Sequence, residues 1–297
     1  MTVSVIIVNY NTYQYVLDCI KSVITATVEL DYEIIVVDNN SPNRDIEGLI
    51  NNYPDVKLVL NSLNSGFGSG NNLGVKHSVG RNIFFLNSDT LLQNNAIKIL
   101  SDYLDNNNEI AVCGGNLYNI NLKPATSFSR MQPGFLADVD YFFFNIFSKM
   151  VFKKNIFFNY TNTIIPIKGT ISGADYMVKR SVFDSVGGFD EDFFMYYEET
   201  ELSYRIMKKG FKIANVPEAK ITHFEGASET LKERSLNWTL ESKKKYFKKT
   251  SNLVMFYSSN MVFFCTILQR IFIFSLTGNH QKKQYWLSFY RWAVKQF

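Results

Sequence analysis

The feature that most constrains the fold of this chain is an alternation of short apolar runs with stretches of helical periodicity. The runs are VSVIIVN at 3–9, EIIVVD at 33–38, VKLVL at 56–60 and NIFFL at 82–86. Runs of this length, rich in β-branched residues and apolar on both faces, predict the buried strands of a parallel sheet.

Apolar positions three and four residues apart predict helices between these strands, at 14–26, 45–52, 71–79 and 94–106. The order β-α-β-α-β-α-β predicts an α/β fold, in which a mostly parallel sheet is flanked by helices through right-handed crossovers. Further along the chain we expect strands at 110–118 and 174–178. Helices are expected at 180–186, ended by Gly187, and at 198–209, ended by Gly210.

Two regions are harder to assign. Residues 124–165 are aromatic and basic, and they fit a helix with a mobile loop near an acceptor, a membrane-touching flap, or an insertion packed on the core. We expect residues 227–297 to form a helical C-terminal appendage. Its stretch 250–269 carries no charge and is long enough to span a bilayer. Its Ser, Asn, Thr and Gln side chains favour instead an amphipathic helix on the core or in the membrane interface.

Composition excludes some classes of protein. The chain has 297 residues, of which 46% are hydrophobic and 20% charged, and these values are typical of globular domains. The net charge of +4 is too small to predict nucleic-acid binding. The lysines at 243–249 suit either a solvated helix face or anionic lipid head groups. Three widely spaced cysteines predict neither disulfides nor a metal motif. With no basic segment before the first strand, we expect a cytoplasmic protein. The aromatic and basic C-terminal tail favours a peripheral position on the inner face of the plasma membrane.

Polar clusters follow the first, second and fourth strands, so they are expected at one edge of the sheet, where open α/β sheets bind ligands. Asp38 ends the second strand, where a carboxylate can accept the ring N–H of a pyrimidine. The loop Gly66–Gly70 could approach phosphates with its backbone. Asp89 follows the fourth strand, where it suits either a Mg²⁺ or Mn²⁺ ligand or the N-cap of the next helix.

Acidic residues open the helix predicted at 198–209. Glu198, Glu199 and Glu201 are close enough in sequence to raise one another's pKa, which suits a general base, although an acidic first turn also stabilises a helix through its dipole. His223 follows the last strand beside the predicted crevice, where it suits a metal ligand or a structural role.

Six motifs in order carry a family resemblance. They are SVIIVNYNT, VVDNNSPN, NSGFGSGNNLG, FFLNSDT, the long segment from SGADYMVKR to RIMKKGF, and ITH. Together they resemble glycosyltransferase family 2, especially its rhamnosyltransferase-like and galactofuranosyltransferase-like members, over residues 2–225. The resemblance implies the GT-A fold over residues 1–226. Its donor-binding half would be about 1–115 and its acceptor and catalytic half about 116–226, with residues 227–297 as a separate helical region.

The resemblance also implies roles for individual residues. Asp89 and His223 would hold a divalent cation, Mn²⁺ or Mg²⁺, with Asn87 at the position of the first acid of the family's DxD motif. Glu199 would be the base and Glu198 its neighbour. The remaining positions would contact the nucleotide, the sugar or the acceptor: Asn9, Tyr10, Asn11, Asp38, Asn64, Gly66, Phe67, Asn71, Asn72, Asn87, Ser88, Gly173, Ala174 and Asp175.

The implied activity is inverting transfer of a sugar, with rhamnose as the first candidate, from a nucleoside diphosphate to a glycan or a lipid-linked oligosaccharide in surface polysaccharide biosynthesis. Two alternatives remain. One is a nucleotidyltransferase, which would require a basic Gly-rich loop after the first strand. The other is a catalytically inactive, membrane-associated glycan-binding or scaffold subunit.

Overall fold

The computed structural model describes residues 1–42, 45–224 and 232–294. The chain divides into two compact units. Met1–Gln132 with Lys154–Ser242 form the first, called here the sheet unit, and Pro133–Lys153 with Lys243–Phe297 form the second, called the helical unit. The predicted border between residues 226 and 227 lies outside the described residues.

The sheet unit alternates strands and helices along most of its length. Its strands are β1 (Val3–Asn9), β2 (Tyr32–Asp38), β3 (Lys57–Leu60), β4 (Asn82–Leu86), β5 (Thr90–Leu92), β6 (Ile110–Tyr118), β7 (Phe128–Ser129), β8 (Ile165–Ile167), β9 (Thr170–Ile171), β10 (Asp175–Lys179) and β11 (Lys212–His223). Its helices are α1 (Tyr13–Ala26), α2 (Leu49–Asn52) after a 3-10 turn at Asp45–Gly48, α3 (Phe67–Lys76), α4 (Ala96–Asn106), α7 (Arg180–Val186) and α8 (Glu198–Lys208).

The main sheet of the described residues has the strand order β3-β2-β1-β4-β10-β6-β11-β5, with β8 also paired to β11. The first four strands are parallel, as expected, and β6 and β11 are parallel to each other. Strands β10, β5 and β8 run antiparallel to their neighbours. The α/β fold is therefore confirmed, but parallel pairing is less general than predicted, because short return strands enter the sheet between and beside the parallel ones.

Apolar side chains cover both faces of this sheet. Alternate residues of each strand point to opposite faces, so Val5 and Ile7 of β1 belong to one buried cluster and Ile6 to another. The same alternation separates Phe84 from Phe85 in β4. Both clusters are closed by helices, which explains why these strands are apolar throughout rather than alternating in polarity.

Helix α3 begins four residues earlier than the sequence predicts, at Phe67 instead of about residue 71. Its glycines suggested a loop because glycine disfavours helices. In the structure they allow the helix to approach the sheet closely. A Cβ atom on Gly74 would lie 2.5 Å from Cγ2 of Ile6, and one on Gly70 would lie 3.1 Å from Cγ1 of Val8. Tight packing therefore overrides helix propensity here.

The helical unit contains α5 (Phe135–Phe142), α6 (Ile146–Phe152), α10 (Leu253–Leu276) and α11 (His280–Val294), while α9 (Lys232–Thr250) crosses the border between the units at Ser242. The segment 124–165 thus contributes strands to one unit and two helices to the other. Among the described residues, α10 is the helix whose length and hydropathy would suffice to cross a membrane.

Candidate active site

A hydrogen-bonded network joins the carboxyl ends of β1, β2 and the loop after β4. Asn9 Nδ2 donates to Asp38 Oδ1 at 2.6 Å, and Ser41 donates to the same carboxylate through both its N–H and its hydroxyl. Asn9 Oδ1 in turn accepts from Thr12, whose hydroxyl lies 3.0 Å from Ser88 Oγ. The three polar clusters predicted to converge on one edge therefore do so. Asp38 is buried, with its carboxylate bound by protein donors.

The loop before α3 is fastened to the same edge by Asn39, a residue that sequence reasoning missed. Asn39 Nδ2 donates to Asn64 Oδ1 at 2.9 Å and to the carbonyl of Gly66 at 3.0 Å. Its Oδ1 accepts from Asn61 Nδ2 at 2.9 Å. The available signal was an asparagine directly after Asp38, at the end of a strand predicted to be buried. Thr12 was missed as well, since a single threonine before a helix is most often a cap.

The remaining predicted nucleotide contacts differ in their surroundings. Tyr10 is exposed, and Asn11 adopts a left-handed backbone with φ of 56° beside it. Asn71 is buried and donates back to the carbonyl of Phe67 at 3.0 Å. Asn72 holds the loop after α7, accepting from the N–H of Phe189 and donating to its carbonyl, both at 2.9 Å. In this structure, therefore, Tyr10 is open to a ligand, whereas Asn71 and Asn72 are engaged within the protein.

Asp89 and His223 meet across the antiparallel pair β5–β11, in which His223 is paired with Thr90. Asp89 Oδ1 lies 3.2 Å from His223 Nε2, and both side chains are about 15% exposed. Asn87 Nδ2 lies 3.5 Å from the same ring nitrogen. The alternative role of Asp89 as a helix N-cap is wrong, because strand β5 follows it and α4 begins only at Ala96 with Asn95 as its cap.

The donor atoms around Asp89 suit a divalent cation. A carboxylate oxygen and an imidazole nitrogen face each other, and Asn87 Oδ1 beside them is buried without a hydrogen-bond partner. Within the described residues no third His, Cys, Asp or Glu joins them. Mg²⁺ and similar cations often take only one or two protein carboxylates and complete their shell with phosphate and water. This small, partly accessible donor set therefore fits a cation held jointly with a diphosphate.

Glu198 and Glu199 begin α8 in different environments. Glu198 is buried, and its Oε2 has no hydrogen-bond partner. Burial, followed by the neighbouring charge of Glu199, raises the pKa of Glu198 well above its usual range. Glu199 is half-buried, and burial raises its pKa as well, against a hydrogen bond that Thr200 Oγ1 donates at 3.1 Å. Glu199 is the more accessible of the two carboxyl groups.

The expected crowding of three carboxylates is wrong for Glu201. Arg205 Nε donates to both oxygens of Glu201, at 2.7 and 2.8 Å, and forms an ion pair with it. Arg205 also donates to the carbonyl of Gly188 at 2.7 Å. A residue one helical turn further on therefore neutralises Glu201, which belongs to a structural tie between α8 and the end of α7.

Gly173 brings the predicted donor and catalytic segments together. A Cβ atom at Gly173 would lie 3.7 Å from Cε1 of Phe67 and 3.8 Å from Cγ of Glu199. The next residue, Ala174, accepts a hydrogen bond through its carbonyl from the N–H of Asn87 at 3.1 Å. Residues 173–174 thus connect the base candidate, the aromatic ring at the start of α3 and the loop that carries Asp89.

The side chain of Asp175 lies deeper than a role in ligand contact suggests. It is fully buried and accepts a hydrogen bond from the N–H of Gly115 at 2.6 Å, while its Oδ1 has no partner. Burial raises its pKa well above the usual range. In this structure Asp175 therefore holds β10 to β6 rather than lining an open crevice.

The segment before α8 is held in an unusual conformation by α9. Tyr196 and Tyr197 both have left-handed backbones, with φ of 68° and 69°, which is uncommon for residues other than glycine. Tyr196 Oη lies 2.6 Å from Ser235 Oγ, and Ser242 Oγ donates to the carbonyl of Met195 at 2.9 Å. Strained backbone of this kind requires support from its surroundings, and α9 supplies it directly before the two glutamates.

Comparisons with known proteins agree with this architecture. Residues 4–187 match the family model described as "Glycosyl transferase family 2". The dTDP-rhamnosyl transferase RfbF of Shigella flexneri is 25% identical over 255 residues, which cover 84% of this chain and 79% of that protein. The low-salt glycan biosynthesis hexosyltransferase Agl10 of Haloferax volcanii is 23% identical over 257 residues, 84% of this chain and 75% of that protein.

A shorter stretch is more similar to a third relative. The N-acetylglucosaminyl-diphospho-decaprenol L-rhamnosyltransferase of Mycobacterium tuberculosis is 43% identical over 60 residues, which is 20% of each chain. That match covers a fifth of the relative's length.

Solved structures share the fold at low sequence identity. GalNAc-T7 with UDP, GalNAc and Mn²⁺ superimposes with a TM-score of 0.60 at 18% identity, over 83% of this chain and 50% of that one. The present chain therefore spans half of that structure. Residues 1–349 of TarS from S. aureus in complex with UDP superimpose with a TM-score of 0.53 at 17% identity, over 93% of this chain and 73% of that one.

Proposed function

Because the chain belongs to glycosyl transferase family 2, we propose that it is an inverting, metal-dependent enzyme that transfers a sugar from a nucleoside diphosphate to a hydroxyl of a glycan or lipid-linked acceptor. The observation that carries this proposal is the convergence of two pairs at one edge of the sheet. Asp89 lies 3.2 Å from His223, and a Cβ atom on Gly173 would lie within 4 Å of both Phe67 and Glu199.

Asp89 and His223 would hold a divalent cation, Mn²⁺ or Mg²⁺, which supplies positive charge to the diphosphate as it leaves. The hydrogen bonds among Asn9, Asp38 and Ser41 would hold a rigid surface against which the nucleotide base packs. The exposed ring of Tyr10 follows Asn9 directly in the chain. Asn39 holds the loop that contains Asn64 and Gly66 close to this surface, so the donor-binding site is ordered before the nucleotide sugar binds.

Glu199 acts as the base. Its carboxylate accepts the proton of the acceptor hydroxyl while the hydroxyl oxygen forms a bond to the anomeric carbon. The bond from that carbon to the diphosphate oxygen breaks on the opposite side, and its electron pair leaves with the diphosphate. A single displacement of this kind inverts the anomeric centre. The raised pKa of Glu199 makes its carboxylate a stronger base than a solvated glutamate.

The printed names of the relatives favour particular substrates. One relative is a dTDP-rhamnosyl transferase and another acts on a decaprenol-linked sugar, whereas a structural neighbour binds UDP. We therefore propose a pyrimidine nucleoside-diphosphate sugar as donor, with rhamnose the first candidate. The proposed acceptor is a lipid-linked oligosaccharide of a surface polysaccharide, met at the inner face of the cytoplasmic membrane.

Isothermal titration with pyrimidine and purine nucleoside diphosphates, with and without Mn²⁺, tests the donor site. We expect one pyrimidine nucleotide to bind in a metal-dependent manner, and this binding to be lost in Asp38→Ala and Asp89→Ala. The exposed Asp55 provides the matched control Asp55→Ala, which should bind like the wild type. A folded protein that binds no nucleotide would favour the scaffold role, and metal-independent binding by Asp89→Ala would exclude the cation site.

A further inference from the structure

The helical unit concentrates exposed apolar side chains. More than half of the large hydrophobic residues that are exposed in the described part of the chain belong to this unit, although it contains a minority of the residues. Isolated apolar residues are normal on a protein surface, but a contiguous patch marks an interface. Helix α10 carries the longest part of this surface.

One face of α10 is apolar and exposed along most of its length. Residues spaced by three or four lie on the same face of a helix. On α10 such a series is exposed throughout: Tyr257, Met261, Cys265, Leu268, Phe272 and Leu276. We call this series the α10 stripe. Arg270 is the one charged residue of α10, and it lies on the buried side.

The buried face of α10 is mixed. Ser259, Thr266 and Arg270 are buried within the helical unit together with Phe256 and Ile267. Arg270 donates to the carbonyl of Tyr141 at 2.8 Å, and its guanidinium lies 3.6 Å from the centre of the Phe144 ring. A water-exposed helix keeps its apolar side chains inside and its polar ones outside. On α10 an arginine is buried while Leu268, Phe272 and Leu276 are exposed, which is typical of a helix whose outer face contacts hydrocarbon.

The charge of the C-terminal segment indicates which kind of partner binds this apolar surface. The sequence from Lys243 to Phe297 contains ten lysine or arginine residues and no aspartate or glutamate, whereas the preceding part contains 21 basic and 27 acidic residues. A basic segment that also exposes apolar side chains is complementary to an anionic lipid bilayer, because it gains from both head groups and acyl chains.

The packing of α11 decides how α10 meets the bilayer. Phe263 and Phe264 of α10 contact Phe289 and Tyr290 of α11, with ring centres 6.1 and 6.0 Å apart. Helix α11 also carries Lys282, Lys283 and Arg291. If α10 crossed the membrane, Arg291 would enter the hydrocarbon with it, which is costly, because its neighbour Tyr290 contacts Phe264 near the middle of α10. A helix lying in the plane of the surface keeps all three cations at the level of the head groups.

We propose that the helical unit binds the surface of an anionic phospholipid bilayer, with α10 lying in the membrane plane and the α10 stripe inserted among the acyl chains. An apolar cavity of about 400 Å³ supports this placement. Tyr257 and Met261 of the stripe line it together with Phe264 and Val294, and acyl chains would fill it. The inference deepens the membrane location proposed above and does not depend on the chemistry of sugar transfer.

Flotation of the full chain with vesicles tests the surface. We expect it to float with vesicles of phosphatidylcholine mixed with phosphatidylglycerol and to float poorly with phosphatidylcholine alone, with binding weakened by salt. The stripe variant Met261→Glu/Phe272→Glu should bind the vesicles at least about tenfold more weakly than the wild type, because charges replace inserted apolar groups. Both replaced residues are 64% exposed, so the fold should tolerate the change.

The matched control is Ile24→Glu/Ile120→Glu, which adds the same charge at exposed apolar positions of the sheet unit, 46% and 69% exposed. It should float like the wild type. Nucleotide titration of each variant separates loss of the membrane surface from loss of the fold or of the donor site. Equal flotation of stripe variant and control, or no flotation of a nucleotide-binding wild type, would overturn the proposal.

Cys265 gives a second test without any substitution. It lies in the α10 stripe, whereas Cys19 and Cys113 are buried. A membrane-impermeant maleimide should modify Cys265 in solution and lose access to it when anionic vesicles are added. Unchanged reactivity would contradict insertion. Protection without vesicles, accompanied by a dimer that the stripe variant loses, would show that a second copy of the chain covers this face instead.

Discussion

Among single residues, the assignment of the base depends on the different surroundings of two adjacent glutamates. Glu198 is buried with an unpartnered oxygen, while Glu199 is half-buried beside Gly173. The sequence predicted an acidic pair at this point, but not which member is accessible, because exposure depends on the packing of residues 173 and 67. It also could not exclude Glu201, whose partner Arg205 has the same spacing as many surface ion pairs.

Replacing the base should abolish most turnover. We expect Glu199→Gln to lower kcat by about 10²–10⁴-fold, the usual contribution of general base catalysis, while donor binding is kept. Glu218 is exposed and lies away from the pair, so Glu218→Gln controls for loss of charge. Steady-state kinetics measures kcat of both variants, and nucleotide titration shows whether donor binding is kept. Full turnover in Glu199→Gln would mean that another residue is the base.

The pH dependence of turnover should report the same group. Burial raises the pKa of Glu199 above the ordinary 4.5, and the base must be deprotonated, so kcat/KM should rise with pH along a limb above that value. Thr200→Val removes a hydrogen bond to the charged form and should move this limb to higher pH. Thr27 has a buried hydroxyl without a partner, so Thr27→Val should leave the limb in place. A limb unchanged by Thr200→Val would argue against Glu199.

Asp175 should make the stability of the fold decrease as the pH rises above the ordinary pKa of a carboxyl group. Burial raises the pKa of this carboxyl group, so its protonated form is favoured in the folded state, and stability is lost as the pH rises from the ordinary pKa to the folded pKa. Asp175→Asn cannot ionise. We expect it to raise the free energy of unfolding by roughly 1–3 kcal/mol at neutral and higher pH, with the difference vanishing on acidification.

Urea unfolding at several pH values measures this effect, with the exposed Asp55→Asn as its control. A variant that becomes less stable than the wild type as the pH rises would show that Asp175 is ionised in the fold and needed as such.

Among the elements, the buried strands β1 to β4 and most helices could be predicted from periodicity, whereas the order of the strands in the sheet and the start of α3 could not. Apolar runs identify buried strands because their side chains are covered on both faces, as β1 and β4 show. The glycines of α3, in contrast, predict a loop, because glycine disfavours helices. Their role depends on contacts with Ile6, Val8 and Phe189, which are distant in sequence and therefore invisible to a local pattern.

Gly66 provides a prediction at this scale. Its φ is +88°, and an added Cβ atom would lie 2.2 Å from the carbonyl oxygen of Phe194, so Gly66→Ala combines backbone strain with a clash. Gly210 has a similar φ of +92° and open space around it. We expect Gly210→Ala to cost about 1–2 kcal/mol of stability, the strain alone.

Gly66→Ala should cost more than that and should also weaken nucleotide binding, because the clash displaces the segment that the N–H of Phe67 holds through the carbonyl of Phe194. Thermal unfolding and nucleotide titration of both variants compare the two effects. Equal stability losses with unchanged nucleotide affinity would mean that the contact between α3 and residue 194 has no part in the donor site.

In the molecule as a whole, the two units differ in composition. The sheet unit has a cluster of buried asparagines and carboxylates at one edge of its sheet, whereas the helical unit exposes apolar side chains and is rich in lysine and arginine. The sequence indicated both tendencies. It did not predict that residues 133–153 join the C-terminal helices, because that association joins segments separated by 90 residues, Lys153 and Lys243.

The inverting mechanism is tested most directly by the anomeric configuration of the first product. Proton NMR can follow this configuration during turnover of a nucleoside-diphosphate sugar with Mn²⁺ and a lipid-linked acceptor. Direct displacement with Glu199 as base predicts that the new glycosidic bond has the opposite configuration to the donor, with one nucleoside diphosphate released for each bond formed. A product that retains the donor's configuration would contradict the account, because it requires a second displacement or a mechanism in which Glu199 is not the base.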